Sequence, residues 1–126
     1  MEAVVELWRK CNLTRPWNDP VKDIELAIAS PNSTVLVGKI DAQIVASAMV
    51  GHDGHRGSLY YVAINPEFQK LGLGKALIRA AEEWLKQRGV WKINILIRDD
   101  NLGAAGFYEA IGFERNQVIS MGRRLA

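Results

Sequence analysis

The stretch from Ala63 to Gly89, AINPEFQKLGLGKALIRAAEEWLKQRG, decides the reading of the chain. Its letters run from a strand end through a glycine turn into an amphipathic helix. The centre is Gln69-Lys70-Leu71-Gly72-Leu73-Gly74. Two glycines there permit a tight turn and leave backbone N–H groups unobstructed at a helix start, which suits a pyrophosphate. Beyond the turn, Leu73, Leu77, Ala81, Trp84 and Leu85 recur at helical spacing among Lys75, Arg79, Glu82, Glu83 and Lys86, and Gly89 closes the helix. Two other phosphate loops fit poorly. A Walker-type loop needs Ser or Thr after Gly-Lys, and Lys75 is followed by Ala76. A dinucleotide fingerprint needs Gly or Ala where Leu77 stands.

Taken alone, Gly72 and Gly74 also read as a plain strand-to-helix turn. A second segment shifts the balance: Asn101-Leu-Gly-Ala104-Ala-Gly-Phe107-Tyr108-Glu-Ala-Ile-Gly112-Phe113. Gln69-x-x-Gly72-x-Gly74 together with Asn101-x-x-Ala104-x-x-Phe107-Tyr108-x-x-x-Gly112-Phe113 resembles the GNAT superfamily of N-acetyltransferases, and the turn and helix from Arg15 to Ile28 resemble those of a small group of its bacterial members. The resemblance is good from Thr34 to the C-terminus and loose before it.

That resemblance implies an α/β fold with a central mixed, mostly antiparallel sheet whose middle strands splay apart around the cofactor. It implies acetyl-CoA as cosubstrate, bound by the backbone of Val62, Ala63 and Ile64, by the turn Gln69, Lys70, Leu71, Gly72, Leu73, Gly74 and Lys75, and by Asn101, Ala104, Phe107 and Tyr108. Tyr108 is then the catalytic acid that protonates the departing sulfur. The bland alternative for Tyr108 is an aromatic core residue on an amphipathic helix.

Composition agrees with one domain spanning residues 1–126: the chain is 48% hydrophobic and 24% charged, enough for a single core. No apolar run has membrane-spanning length, and Met1 to Asn12 alternates apolar and charged residues unlike a signal peptide, so a cytoplasmic location is expected. The single cysteine, Cys11, excludes an internal disulfide and a multi-cysteine zinc site. A net charge of +2 is too small to argue for nucleic acid.

In chain order, Val4, Leu7, Trp8 and Cys11 predict a helix over Met1 to Cys11, with Cys11 packed rather than reactive. The family usually opens with a strand before this helix. Either the sequence begins late or the protein manages with one strand fewer, exposing an edge that a partner copy would cover; a homodimer is expected on that ground and from the resemblance. Asp19 as N-cap and Pro20 at the first helical position predict a second helix with Val21, Ile24 and Ile28 inward. The preceding Arg15, Trp17, Asn18 and Asp19 are a capped turn that, by resemblance, borders the acceptor groove.

Thr34 to Lys39 and Gln43 to Val50 predict a hairpin turning at Ile40-Asp41-Ala42. His52-Asp53-Gly54-His55-Arg56-Gly57 reads as a polar turn before the strand Ser58 to Ile64. His-x-x-His in a loop lacks helical spacing and a following Glu, so no metal is expected. Alternation places Tyr60 and Tyr61 on opposite faces, one toward the core and one toward the acceptor side. Val90 to Ile97 predicts another strand, Asn101 or Asp100 the cap of the next helix, and Phe113 with Val118 to Met121 the last strands.

The resulting expectation is an acetyl-CoA-dependent N-acetyltransferase in which a primary amine attacks the thioester directly within a ternary complex. A lysine-like amine is only about one part in a thousand neutral at pH 7, so a base or a desolvating pocket is needed. By the resemblance a glutamate on one of the two splayed strands would serve, but Ser58 and Leu96 stand at those places. Asp53, Glu25, His52, His55 and a water chain remain open. The competing function is a catalytically silent CoA-binding regulatory module. The acceptor itself, whether small molecule, peptide N-terminus or lysine, is not written in these residues.

Overall fold

The computed structural model describes residues 1–99 and 101–125, and the chain forms two compact units, Met1–Leu96 and Ile97–Ala126. In the first unit, α1 (Glu2–Lys10) carries Glu2 in its first turn and Arg9 and Lys10 in its last, complementing the helix dipole. It buries Val4, Val5, Leu7 and Trp8. Helix α2 (Pro20–Ala29) starts as the residues dictate: the Asp19 carboxylate accepts the N–H groups of Val21 and Lys22 at 3.1 and 3.2 Å. Its inward face is Ile24 and Ala27; Val21 and Ile28, expected inward, are exposed. The buried stripe is therefore narrower than the apolar letters suggest.

Strands β1 (Ser33–Ile40) and β2 (Gln43–His52) form the expected antiparallel hairpin. Its two turn residues, Asp41 and Ala42, both have positive φ, the handedness that matches the twist of hairpin strands. Strand β3 (Gly57–Ile64) adds antiparallel to β2, and β4 (Ile93–Ile95) adds parallel to β3, giving the order β1-β2-β3-β4. Helix α3 (Leu73–Lys86) buries Leu77, Ile78, Ala81 and Leu85. The strand expected over Val90 to Ile97 is reduced to three residues. Its first residues are spent leaving α3, where the Val90 N–H still bonds Leu85 O, and beyond Ile95 the chain leaves the sheet, with Leu96 exposed.

The core on the α1–α2 face gathers Val4, Val5, Leu7, Trp8, Ile24 and Ala63, with Cys11, Leu13, Met49 and Tyr61 packed against it. Trp8 is fully buried and donates its indole N–H to the equally buried Ser47 Oγ at 2.8 Å. One internal hydrogen bond thus fixes α1 on the middle of β2. Cys11 is packed as expected: its Sγ donates to Ile64 O at 3.2 Å, and burial pushes its thiol pKa up.

The second unit contains α4 (Leu102–Ala110), capped by Asn101, whose Oδ1 accepts the Ala104 N–H at 3.1 Å. The alternative cap, Asp100, lies outside the described residues. The chain leaves α4 through Gly112 at φ +102°. The strands expected from Phe113 and Val118 to Met121 are not formed: these residues lie outside any helix or strand, and Val118, Ile119 and Met121 are exposed. Strand-prone letters become a strand only against a neighbour. Among the described residues, this unit offers none.

Candidate functional site

The turn from Gln69 to Lys75 leads directly into α3. Gly72 is the N-cap of α3 at φ +76° and ψ 12°, a left-handed conformation that L side chains adopt at a cost of about 1–2 kcal/mol. Gly72 has no side chain to cap the helix, and the first turn of α3 carries no acidic residue. The ladder begins with Ala76 N–H to Gly72 O at 3.1 Å. The preceding N–H groups of Leu73, Gly74 and Lys75 therefore stand ahead of the ladder, at the positive end of the helix. Gln69, Lys70, Leu71 and Lys75 are exposed beside them, and Lys70 is itself left-handed at φ +68°. The arrangement presents donors and positive charge to an anion.

Immediately before the turn, β3 opens on one side. Strand β4 pairs only with Gly57, Ser58 and Leu59. From Tyr60 to Ile64 that edge has no β4 residue in register, while the opposite edge stays paired to β2 through Ala63 and Ile64. A backbone edge that opens partway along a sheet can accept an extended ligand as an added strand.

The opening coincides with a bulge that the letters do not announce. Ser47 pairs with Ala63 and Met49 with Tyr60, so Tyr61 and Val62 together oppose Ala48. Tyr61 sits at φ +53°, an uncommon conformation for a bulky residue. Its ring stacks on Trp8 with centroids 3.9 Å apart and 3° between planes, and its hydroxyl donates to Asp23 Oδ2 at 2.6 Å. Burial, then the hydrogen bond to Asp23, raises the Tyr61 pKa well above the usual phenol value. Strain in the backbone is thus offset by a stack and a charge-assisted hydrogen bond.

The bulge also corrects the expected alternation. Tyr61 packs against the core and Tyr60 is exposed, yet both line the same cavity. An extra residue in the strand suspends the period of two. This cavity, about 780 Å³, lies between α2 and the β2–β3 half of the sheet. Asn18, Asp23, His52, Asp53, Ser58 and Tyr60 bring polar groups to it, while Leu26, Ala27, Met49 and Val50 supply apolar surface. Of the open base candidates, His52 and Asp53 reach the cavity; Glu25 and His55 are not among its lining. Asp53 Oδ1 accepts the N–H groups of Arg56 and His55 at 2.8 and 2.9 Å, and these bonds hold its carboxyl below the ordinary carboxylate pKa.

Sequence reasoning overlooked Asp23. It stands one residue before the buried Ile24 on a short amphipathic helix, and a lone aspartate in a first turn looks like a dipole partner. Only the return of β3 beneath α2 gives it a tyrosine partner. In the second unit, Tyr108 is buried, its ring edge-on to Phe107 and Phe113 at 5.1 and 5.3 Å. Burial pushes its pKa up to about 12, so the phenol keeps its proton throughout the neutral range. Ala104 is half-buried, and Phe107 and Asn101 are exposed. Among the described residues, no group of three or more His, Cys, Asp or Glu is placed to hold a metal ion, and no helix is long and apolar enough to cross a membrane.

Comparison with known proteins shows the family and the fold. The model of the Acetyltransferase (GNAT) family matches residues 1–113. An acetyltransferase of Pectobacterium atrosepticum is 44% identical over 124 residues, covering 98% of this chain and 88% of the relative. Among solved structures, the aminoglycoside 6'-N-acetyltransferase AAC(6')-IG of Acinetobacter haemolyticus aligns with TM-score 0.77 at 19% identity, over 100% of this chain and 96% of its own. The ribosomal-protein-S18-alanine N-acetyltransferase of Escherichia coli aligns with TM-score 0.76 at 21% identity, over 92% and 72%. One is named for an antibiotic acceptor and the other for a protein acceptor, so the shared fold does not choose between acceptors.

Proposed function

The chain belongs to the GNAT acetyltransferase family, and on that premise we propose that it transfers the acetyl group of acetyl-CoA to a primary amine by direct attack in a ternary complex. The observation that carries this reading is the succession, within one short segment, of a β3 edge open from Tyr60 and a left-handed Gly72 at the start of α3. An extended thioester arm and a pyrophosphate need those two features in that order.

The protein's own groups divide the work as follows. The N–H groups around Gly72 hold the pyrophosphate, with Gln69, Lys70, Leu71, Leu73, Gly74 and Lys75 forming the turn. The backbone of Val62, Ala63 and Ile64 pairs with the pantetheine arm, and an N–H at the bulge polarises the thioester carbonyl as a backbone oxyanion hole. Asn101, Ala104 and Phe107 complete the cofactor contacts by the match of their motif. The acceptor ammonium first loses one proton to solvent or to a cavity group. The neutral nitrogen then attacks the carbonyl carbon, the C–N bond forms and the C–S bond breaks. Nitrogen gives up its second proton to solvent or a cavity group, sulfur takes one from Tyr108, and the Tyr108 phenolate regains a proton from solvent. The single domain over residues 1–126 and the cytoplasmic homodimer expected from the family belong to the same reading.

The test is CoA release from acetyl-CoA over a panel of amines, alongside Tyr108→Phe. Amine-dependent release that falls about a hundredfold in the variant, the usual worth of a general acid, supports the scheme. Acetyl-CoA binding without release for any amine would contradict it.

A further inference from the structure

The charge of the cavity runs against the charge of the chain. The protein carries 16 Lys and Arg against 14 Asp and Glu, a net +2. Yet among the described residues lining the cavity there are two carboxylates, Asp23 and Asp53, and no lysine or arginine. The two come from different elements, α2 and the turn after β2, and each is held in place. Tyr61 donates to Asp23 Oδ2 at 2.6 Å, and two backbone N–H groups fix Asp53 Oδ1. A carboxylate has about four acceptor sites, so both keep capacity for a ligand. The exposed ring of Tyr60 adds a face of the kind that attracts cations. The volume of about 780 Å³ is that of a small-molecule site.

We propose that the acceptor is a di- or polycationic amine, with one ammonium placed at the Tyr61–Asp23 end of the cavity and a second cationic group held toward Asp53. This rests on the acetyl-transfer reading and narrows it. Acetylation at the Asp23 end removes one charge: the ammonium loses a proton to solvent, the C–N bond forms, the C–S bond breaks, and CoA leaves as the thiol. The charge at Asp53 persists, so the product is still a cation. Acceptors with a carboxylate or phosphate in place of the second cation meet Asp53 with the wrong sign.

The experiment titrates 1,5-diaminopentane, pentylamine and 5-aminopentanoate into the protein held with saturating CoA at low ionic strength, reading heat or thermal unfolding. The three probes differ only in the terminal group. The diamine is expected to bind about three- to fivefold more tightly than pentylamine, the span of a partly exposed charge pair, and the amino acid least. Asp53→Asn keeps an oxygen for the two backbone N–H groups and should bring the diamine-to-pentylamine ratio to about one. Equal affinities in the native protein, no binding by any probe, or a ratio unmoved by both Asp53→Asn and Asp23→Asn would overturn the proposal. Acetyl-CoA stabilisation is read in parallel samples that contain no CoA. Its failure with the diamine preference intact would sink acetyl transfer and leave the cation site standing.

Discussion

Tyr61 donates its hydroxyl to Asp23 Oδ2 at 2.6 Å, tying the strained bulge of β3 to helix α2. The bond is half-buried and charge-assisted. Tyr61→Phe keeps the stack on Trp8 and removes only the oxygen, so it should cost about 1–2 kcal/mol. It should also free the bulge to relax, seen as faster amide exchange at Val62. Unchanged exchange together with unchanged stability would show that the backbone alone holds the bulge.

The buried Trp8–Ser47 hydrogen bond makes a second prediction. Ser47→Ala leaves the indole N–H without its acceptor in a site with no access to water, at a cost of about 1–3 kcal/mol. Trp8→Phe adds a packing loss and should cost more. In a double-mutant cycle the two should couple, because the second change removes the orphan left by the first. Strict additivity in chemical denaturation would contradict the assigned bond.

Gly57 begins β3 against α3, and a Cβ there would meet Leu85 Cδ2 at 2.9 Å and Cγ at 3.2 Å. Leu85 is 2% exposed and has little room to retreat. Gly57→Ala is expected to destabilise by about 1–3 kcal/mol. Combined with Leu85→Ala, it should cost less than the sum of the two, since the new methyl enters the space that was vacated.

Alkaline pH should weaken the fold. Burial raises Tyr108 to about 12 and, with the Asp23 bond, raises Tyr61 as well. A phenol whose folded pKa exceeds the unfolded value of about 10 contributes stability that is full below pH 10. That contribution is lost as pH rises from about 10 toward the folded pKa. Denaturation midpoints should be flat with respect to these groups through neutrality and fall above about pH 10. Tyr108→Phe should reduce the fall, and an identical alkaline profile in that variant would contradict the assignment.

The parts that were legible in the sequence are those with a local physical cause. Asp19 before Pro20 marks the start of α2, and two glycines after Gln69 mark the turn into α3. The hidden parts depend on what lies opposite. Nothing in Tyr61 signals a left-handed residue, because the conformation is imposed by Trp8 and Asp23, at separations of 53 and 38 positions. The shortness of β4 and the unpaired run through Val118, Ile119 and Met121 have the same origin, since strand propensity is silent about whether a partner exists. The cavity's charge was equally out of reach: Asp23 and Asp53 come to line one cavity only through the fold.

The most direct measurement is thermal unfolding with and without acetyl-CoA, in the native protein and in Gly72→Asp. A Cβ at Gly72 meets nothing within 4 Å, so the variant has room to fold, at about 1–2 kcal/mol of left-handed strain. Its added carboxylate would stand where the pyrophosphate is expected. At a ligand concentration about a hundred times Kd, the native protein should gain about 2.7 kcal/mol, a rise on the order of 10 °C, and Gly72→Asp should gain almost none. Equal stabilisation of both proteins would remove the cofactor from the Gly72 turn, and no stabilisation of the folded native protein would contradict acetyl-CoA as its cosubstrate.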